Sequence, residues 1–424
     1  MLVHSRHGIV ALLMGALLLT ALVGCAYHPG GDALAFLRDG HLYTIQADGA
    51  NLHQIAGGDI VSYSWSPSRQ QLVYRTASPF PSNRGHSPLE NAPDLSGNLS
   101  VVSVNGGSTL PITPDAASLV RSDAWWNADG NRLLYAERFP TTDGLDSATE
   151  YVVSQSDQPV GIASKSVSDS ATSPALSADG AQVARINAQS DLLLGAPGTS
   201  GKSVASGVLR QLPDTARVGR VLWRPRTNDL LFATAAENNA IQLILRSGSG
   251  ATRALGTVTG MLDACFSPDG AWLLVRTTER FIVWDVRSPG SARYDWANSD
   301  QSAIPYWSPD SKRLFVFDAA GAMLVDLDRK VTMRILTYAQ PHQARQGMPH
   351  WRPTPGSPWS PDSASVAFMA AAGDSWNGGR LTAGLYVASV GASGAENARL
   401  IDSGADEAPL WSYLDPSASF LLPS

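Results

Sequence analysis

The feature that most constrains this chain is a turn that recurs along it. An aromatic or apolar residue is followed by Ser-Pro-Asp-Gly or a variant, then by an apolar residue seven positions on and usually another at nine. Clear copies are Trp65-Ser66-Pro67 with Leu72 and Tyr74, and Trp126-Asn127-Ala128-Asp129-Gly130 with Leu133 and Tyr135. Leu176-Ser177-Ala178-Asp179-Gly180 with Val183 and Trp223-Arg224-Pro225 with Leu230 and Phe232 come next. Phe266-Ser267-Pro268-Asp269-Gly270, Trp307-Ser308-Pro309-Asp310-Ser311 and Trp359-Ser360-Pro361-Asp362-Ser363 complete the series. Weaker copies flank these, at Tyr27-His28-Pro29-Gly30-Gly31 and at Trp411. Starts at 27, 65, 126, 176, 223, 266, 307, 359 and 411 give steps of 38 to 61 residues.

Each unit has the chemistry of a tight turn between strands. Proline presets φ, Asp bonds its own backbone, and Gly tolerates positive φ. An apolar strand ends in the aromatic, and an alternating strand such as Leu230-Leu231-Phe232-Ala233 follows. A third strand comes next, as at Phe281 to Val286 or Met323 to Leu327, and a second turn and a fourth strand finish the unit. Four short strands in ~40–50 residues is the length of a propeller blade. The expected fold is therefore all-β: a single β-propeller of four-stranded antiparallel blades. Eight blades are expected, or seven if the weak unit around Leu176 merges with a neighbour. The strand at Leu410-Trp411 is expected to join the first unit, so that N- and C-terminal strands pair and close the ring. The leading aromatics read as core, filling the wedge between neighbouring blades.

The N-terminus reads as an address. Arg6 precedes an almost wholly apolar run over 9–23, which suits a signal peptide and is short for a bilayer span. The run ends Leu22-Val23-Gly24-Cys25, which resembles the bacterial lipobox. That resemblance implies removal of residues 1–24, lipid on Cys25, and an extracytoplasmic, membrane-anchored protein of the cell envelope whose propeller occupies 25–424. Two or three acyl chains anchor stably where one does not. Cys265 is the only other cysteine; with Cys25 lipidated no disulfide is expected, and Cys265 reads as a small core residue.

The repeat units resemble those of TolB and of the propellers attached to prolyl-oligopeptidase-type peptidases, over nearly all of 27–422. The motif is specific for the fold and not for function, because the turns are structural. The sequence departs from TolB in having no separate α/β domain before the repeats. It departs from the peptidases in having no Gly-x-Ser-x-Gly elbow with a downstream His.

Chemistry-bearing motifs are sparse. The net charge is −6 with no basic block, so nucleic-acid binding has no electrostatic footprint. Ala196-Pro197-Gly198-Thr199-Ser200-Gly201-Lys202-Ser203 nearly spells a P-loop, yet a strand follows it where a P-loop needs a helix. It falls where other units carry the turn between third and fourth strands, so no nucleotide or other cofactor is expected. His28, His41, His53, His86, His342 and His350 are scattered without metal-ligand spacing, so no metal is expected. Asp129, Asp179, Asp269, Asp310 and Asp362 belong to turns, and Asp285 and Asp326 close third strands. Their expected role is turn hydrogen bonding.

Three units carry long insertions between the second and third strands: Ser78 to Leu99, Phe139 to Thr149 and Ala371 to Thr382. All three leave the face opposite the Ser-Pro-Asp-Gly turns. They belong to the second, third and eighth units, neighbours once the ring closes through the first. Phe80, His86, Trp376 and Arg380 in these loops are of types enriched at binding hot spots. The resulting expectation is a monomeric, non-enzymatic envelope lipoprotein that binds a protein or cell-wall partner through that face. The alternative is a small-molecule or sugar-binding protein, or a lyase-type enzyme, that uses the central channel.

Overall fold

Period-two alternation becomes a series of antiparallel meanders. The computed structural model describes residues 32–77, 97–113, 120–121, 124–141, 144–153, 160–165, 175–210, 212, 221–290, 292–340, 356–391, 394–405 and 409–413. Cys25, residues 1–24, Phe80 and His86 lie outside them.

The four-stranded unit is clearest in the middle of the chain. Leu222–Trp223, Leu230–Ala235, Ile241–Arg246 and Thr252–Val258 form one sheet in chain order. Met261–Phe266, Trp272–Thr277, Arg280–Asp285 and Ala292–Ala297 form the next. Ile304–Trp307, Arg313–Asp318, Gly321–Asp326 and Val331–Thr337 form a third. Ile60–Trp65, Gln71–Thr76, Leu99–Ser103 and Leu110–Pro111 repeat the pattern near the start. The weak unit around Leu176 does not merge with a neighbour. Ala175–Leu176, Val183–Ile186, Leu192–Gly195 and Lys202–Ala205 make a four-stranded sheet of their own.

Burial falls from the first strand of a unit to the fourth. Met261–Phe266 is buried at all six positions, whereas Ala292–Ala297 buries only Trp296. A first strand packed on both faces needs an unbroken apolar run, and a fourth strand at the rim does not. The leading aromatics lie in the wedges between sheets, as expected: Trp65, Trp126, Trp223, Phe266, Trp307, Trp359 and Trp411 are all at most 4% exposed.

Three of these tryptophans also hold the same hydrogen bond. Trp223 Nε1 donates to Ala175 O at 3.0 Å, and Trp359 Nε1 to Tyr306 O at 3.0 Å. Each acceptor lies just before the leading residue of the preceding unit, Leu176 or Trp307. Trp65 Nε1 donates to Leu410 O at 2.9 Å, and Leu410 likewise lies just before Trp411. The C-terminal segment thus stands toward Trp65 as a preceding unit would. Leu410 and Ala35 exchange both backbone hydrogen bonds at 2.9 Å, adding a rung to the three-stranded sheet of Ala33–Arg38, His41–Gln46 and His53–Ala56.

The turns are built as their sequence implies. In four copies the Ser hydroxyl donates to the Asp two residues on, at 2.5–2.6 Å: Ser177–Asp179, Ser267–Asp269, Ser308–Asp310 and Ser360–Asp362. The hydrogen bond from Ser177 holds the Asp179 carboxyl below its ordinary value. Asp285 and Asp326 likewise accept backbone N–H groups in turns. Where Gly ends the motif its φ is near +70°, as at Gly180 and Gly270 (φ +69°). Ser311 and Ser363 adopt the same left-handed conformation, with φ of 61° and 63°. That costs ~1–2 kcal/mol for a residue with a Cβ. The offset is visible: Ser311 Oγ accepts the Asp269 N–H at 3.1 Å, and Ser363 Oγ accepts the Asp310 N–H at 2.9 Å. Each serine ties its own turn to that of the preceding unit.

Two substitutions separate these terms. Ser363→Ala keeps the backbone strain and removes the acceptor, so unfolding free energy should fall by about 1–2 kcal/mol. Ser363→Gly removes both strain and acceptor and should lie within about 0.5 kcal/mol of wild type. Denaturant titration of the two variants measures the difference.

Candidate functional site

Antiparallel connectivity sorts the loops onto two faces. The turn between first and second strands and that between third and fourth share one end of a sheet. The connection between second and third strands and the link to the next sheet share the other. On this second face the shortest connections are two-residue turns. Asp39-Gly40 has φ of +50° and +70°, the positive pair a tight hairpin requires. The long insertions stand out against them.

Each insertion fares differently. Residues 78–96, with Phe80 and His86, lie outside the described residues. The second insertion is not a loop. Leu133–Thr141 and Gly144–Val153 pair as a long hairpin up to Thr141 and Gly144, so the extended loop expected from Phe139 to Thr149 is instead a continuation of the two strands. Two strands that continue pairing satisfy their backbone groups without a new core.

The third insertion is a folded bridge between two sheets. Ser375–Trp376 and Gly379–Arg380 make a short hairpin on the connection between Ser365–Ala370 and Gly384–Gly391. That hairpin pairs with Val331–Thr337, the outer strand of the preceding unit, through Leu336 with Trp376 and Thr337 with Ser375. Asn377 N–H adds a hydrogen bond to Ile335 O at 2.9 Å.

Trp376 was expected as a contact residue and is instead the seat of the hairpin. It is 3% exposed, and its ring stacks on Phe368 with centroids 4.5 Å apart and planes 8° from parallel. Its Nε1 donates to Glu396 O at 2.5 Å. Asp374, absent from the sequence-derived candidates, is the second fixture. It is fully buried, and its carboxylate accepts the Ala371 N–H at 2.8 Å and the Ala339 N–H at 2.9 Å. Ala339 lies beyond Val331–Thr337, so this acid joins the insertion to the neighbouring unit's exit. Arg380 is exposed on the returning strand, opposite Ser375, and Asn377 and Gly378 form the exposed turn. The structure thus separates the two candidates it describes: Trp376 holds the hairpin, and Arg380 is displayed.

The other tempting motifs resolve as scaffold. The P-loop-like segment is the turn of a hairpin, with Leu194 opposite Lys202, and Arg185 donates to Ser200 O at 2.5 Å. Arg276 and Asp263 form a buried ion pair between adjacent strands, with Arg276 Nε 3.1 Å from both carboxylate oxygens. Arg276 Nη1 also donates to Gln301 O at 2.7 Å and Ala303 O at 2.6 Å. A buried pair satisfied on all sides is structural, and removing one partner would be costly. Among the described residues no three His, Cys, Asp or Glu side chains converge as a metal set.

No protein-family model matches the sequence, and no curated protein matches it. Solved structures do. A eukaryotic initiation factor structure aligns over 89% of this chain and 97% of its own, at 12% identity and a TM-score of 0.50. Taken with successive four-stranded antiparallel meanders, that likeness decides the fold. It is a β-propeller. An oligogalacturonate lyase in complex with manganese is also similar, over 83% of each chain at 12% identity and a TM-score of 0.47. So is a prolyl endopeptidase, over 78% of this chain and 55% of its own, at 11% identity and 0.46. At such identity the likeness bears on fold alone.

The division of labour in the propeller's bridging hairpin is measurable. Trp376→Ala should cost about 3–5 kcal/mol of stability, the usual range for a buried aromatic. It should also speed hydrogen exchange at Asn377 and Leu381, whose amides bond Ile335 O and Asp374 O. Arg380→Ala should change stability by less than about 0.5 kcal/mol.

Proposed function

We propose that this propeller is a non-enzymatic, lipid-anchored protein of the cell envelope. It engages a protein or cell-wall partner through the face that carries the second-to-third-strand insertions. The observation that carries the reading is the bridging hairpin. A surface insertion could cross any way, yet this one has a stacked Trp376, a buried Asp374 and a two-sheet attachment that fix the backbone carrying Arg380. Preorganised display of an Arg at the rim lowers the ordering cost of binding. Lipid on Cys25 supplies the anchor, and the TolB-type resemblance of the repeats fits an envelope setting.

The ring in this reading has eight blades and closes at Leu410-Trp411. Support comes from the Trp65 bond to Leu410 O, which repeats the bonds of Trp223 and Trp359 to their preceding units. Tyr413 Oη, three residues on, donates to Trp126 O at 3.0 Å in the third unit. Closure through the first unit brings the second, third and eighth together, so their insertions form one arc. Deleting residues from 409 onward would leave Ala33–Arg38 an unpaired edge, which recruits other chains. Light scattering should then show concentration-dependent association; a truncated chain that stays monomeric and melts like the full chain would exclude the closure.

Crosslinking in membranes with mass spectrometry tests the partner. The full chain is compared with a variant in which 78–96 is shortened and Arg380 is replaced by Glu, leaving Trp376 and Asp374 in place. Capture of a partner by the first and its loss from the second is the expected result. Identical capture by both would remove the arc from consideration and direct attention to the central channel.

A further inference from the structure

A second feature lies on the same face, between the sheets of Leu222–Val258 and Met261–Ala297, away from the bridging hairpin. It is a cleft of about 310 Å³. The link between the two sheets and the turn after Trp272–Thr277 form its walls. Val258 and Ile282 supply apolar lining, with Ala240 beside them. Thr257, Thr259, Thr278 and Glu279 line the rest.

The polar groups here divide into those used by the fold and those left over. Thr277 Oγ1 donates to Arg280 O at 3.1 Å and accepts the Arg280 N–H at 2.9 Å, so it builds the turn. Arg280, also at the cleft, is paired with Asp295 through Nη2. The hydroxyls of Thr257, Thr259 and Thr278 and the carboxylate of Glu279 make no hydrogen bond to another described residue. Thr257, Thr259 and Glu279 are exposed and Thr278 is half-buried, so three groups that donate and accept, and one that only accepts, stand in water around an open depression with Val258 and Ile282 in its lining. With the Arg280 charge matched by Asp295, Glu279 leaves the cleft net negative.

We propose that this cleft binds a small hydroxylated ligand of monosaccharide size that carries no negative charge. The volume is at the small end of ligand sites. The threonine hydroxyls match ring hydroxyls, which also both donate and accept. Val258, Ile282 and the threonine methyls meet the C–H face of the ring. Glu279 accepts from a hydroxyl or an amine and repels a carboxylate or phosphate. The site is independent of the partner arc, and neither reading stands or falls with the other.

The probes are glucosamine and glucuronate, alike in size and opposite in charge. Each is titrated into the full chain by calorimetry and saturation-transfer NMR. Glucosamine is expected to bind saturably and glucuronate not to bind. Thr259→Val and Thr278→Val, which keep shape and remove one hydroxyl, should each weaken glucosamine by about tenfold, the effect of one good hydrogen bond. Glu279→Gln should narrow the difference between the two sugars. Unchanged melting temperatures in the three variants show that binding, and not folding, was altered. If glucosamine does not bind, if the two sugars bind equally, or if the valine variants bind like wild type, the proposal fails.

Discussion

Everything in this propeller depends on how one sheet is held against the next. A four-stranded sheet with a buried first strand and a wet fourth strand cannot cover its own faces, so its stability lies in the wedge it shares with a neighbour. The leading aromatics fill those wedges. At Trp65, Trp223 and Trp359 the indole N–H also reaches a backbone carbonyl just before another leading residue; at Trp126, Trp307 and Trp411 it is buried with no partner among the described residues. Apolar fit sets the strength of every joint, and the indole hydrogen bond adds register at three of them. At those three joints, loss of the carbonyl partner would leave a buried N–H unpaired, which costs more than the bond returns.

A second set of joints lies at the turns. Ser311 and Ser363 occupy a conformation suited to glycine and give the preceding turn an acceptor in exchange. Arg313 adds to this, stacking over Trp359 at 5.3 Å and donating to Ser363 O at 2.6 Å and Val390 O at 2.6 Å. The carboxylates of Asp179, Asp269, Asp310 and Asp362 are therefore occupied. Each accepts a hydroxyl and an amide inside its own turn.

How much of this was legible in the sequence follows from the range of each interaction. The turn motif is local: Ser, Pro, Asp and Gly act within five residues, so strand positions and the turn bonds of Asp179, Asp269, Asp310 and Asp362 could be read directly. The P-loop-like segment was also legible, because the strand after it lies within a few residues. The insertions were not legible, because their partners are remote. Nothing near Trp376 in sequence announces Phe368 as its stacking partner, or a neighbouring sheet's outer strand as its ladder. Its place in a long insertion and its residue type suggested a contact residue, whereas its burial depends on another unit. Asp374 carried one usable signal, an acid two residues before a large aromatic in a loop otherwise poor in charge. The length of 139–149 could not say whether those residues paired, since a hairpin extension and a loop of equal length differ only in backbone bonding.

The bridging hairpin has one more consequence. The fourth strand of any blade is a free edge, with N–H and C=O groups open to a stray strand from another molecule. At Val331–Thr337 that edge is covered at its end by Ser375–Trp376 from the following unit. The insertion therefore shields the sheet from intermolecular pairing as well as displaying its tip. A lineage that lost the hairpin would lose solubility as well as any contact made by Arg380, and the edge strand would then need a charge or a proline of its own.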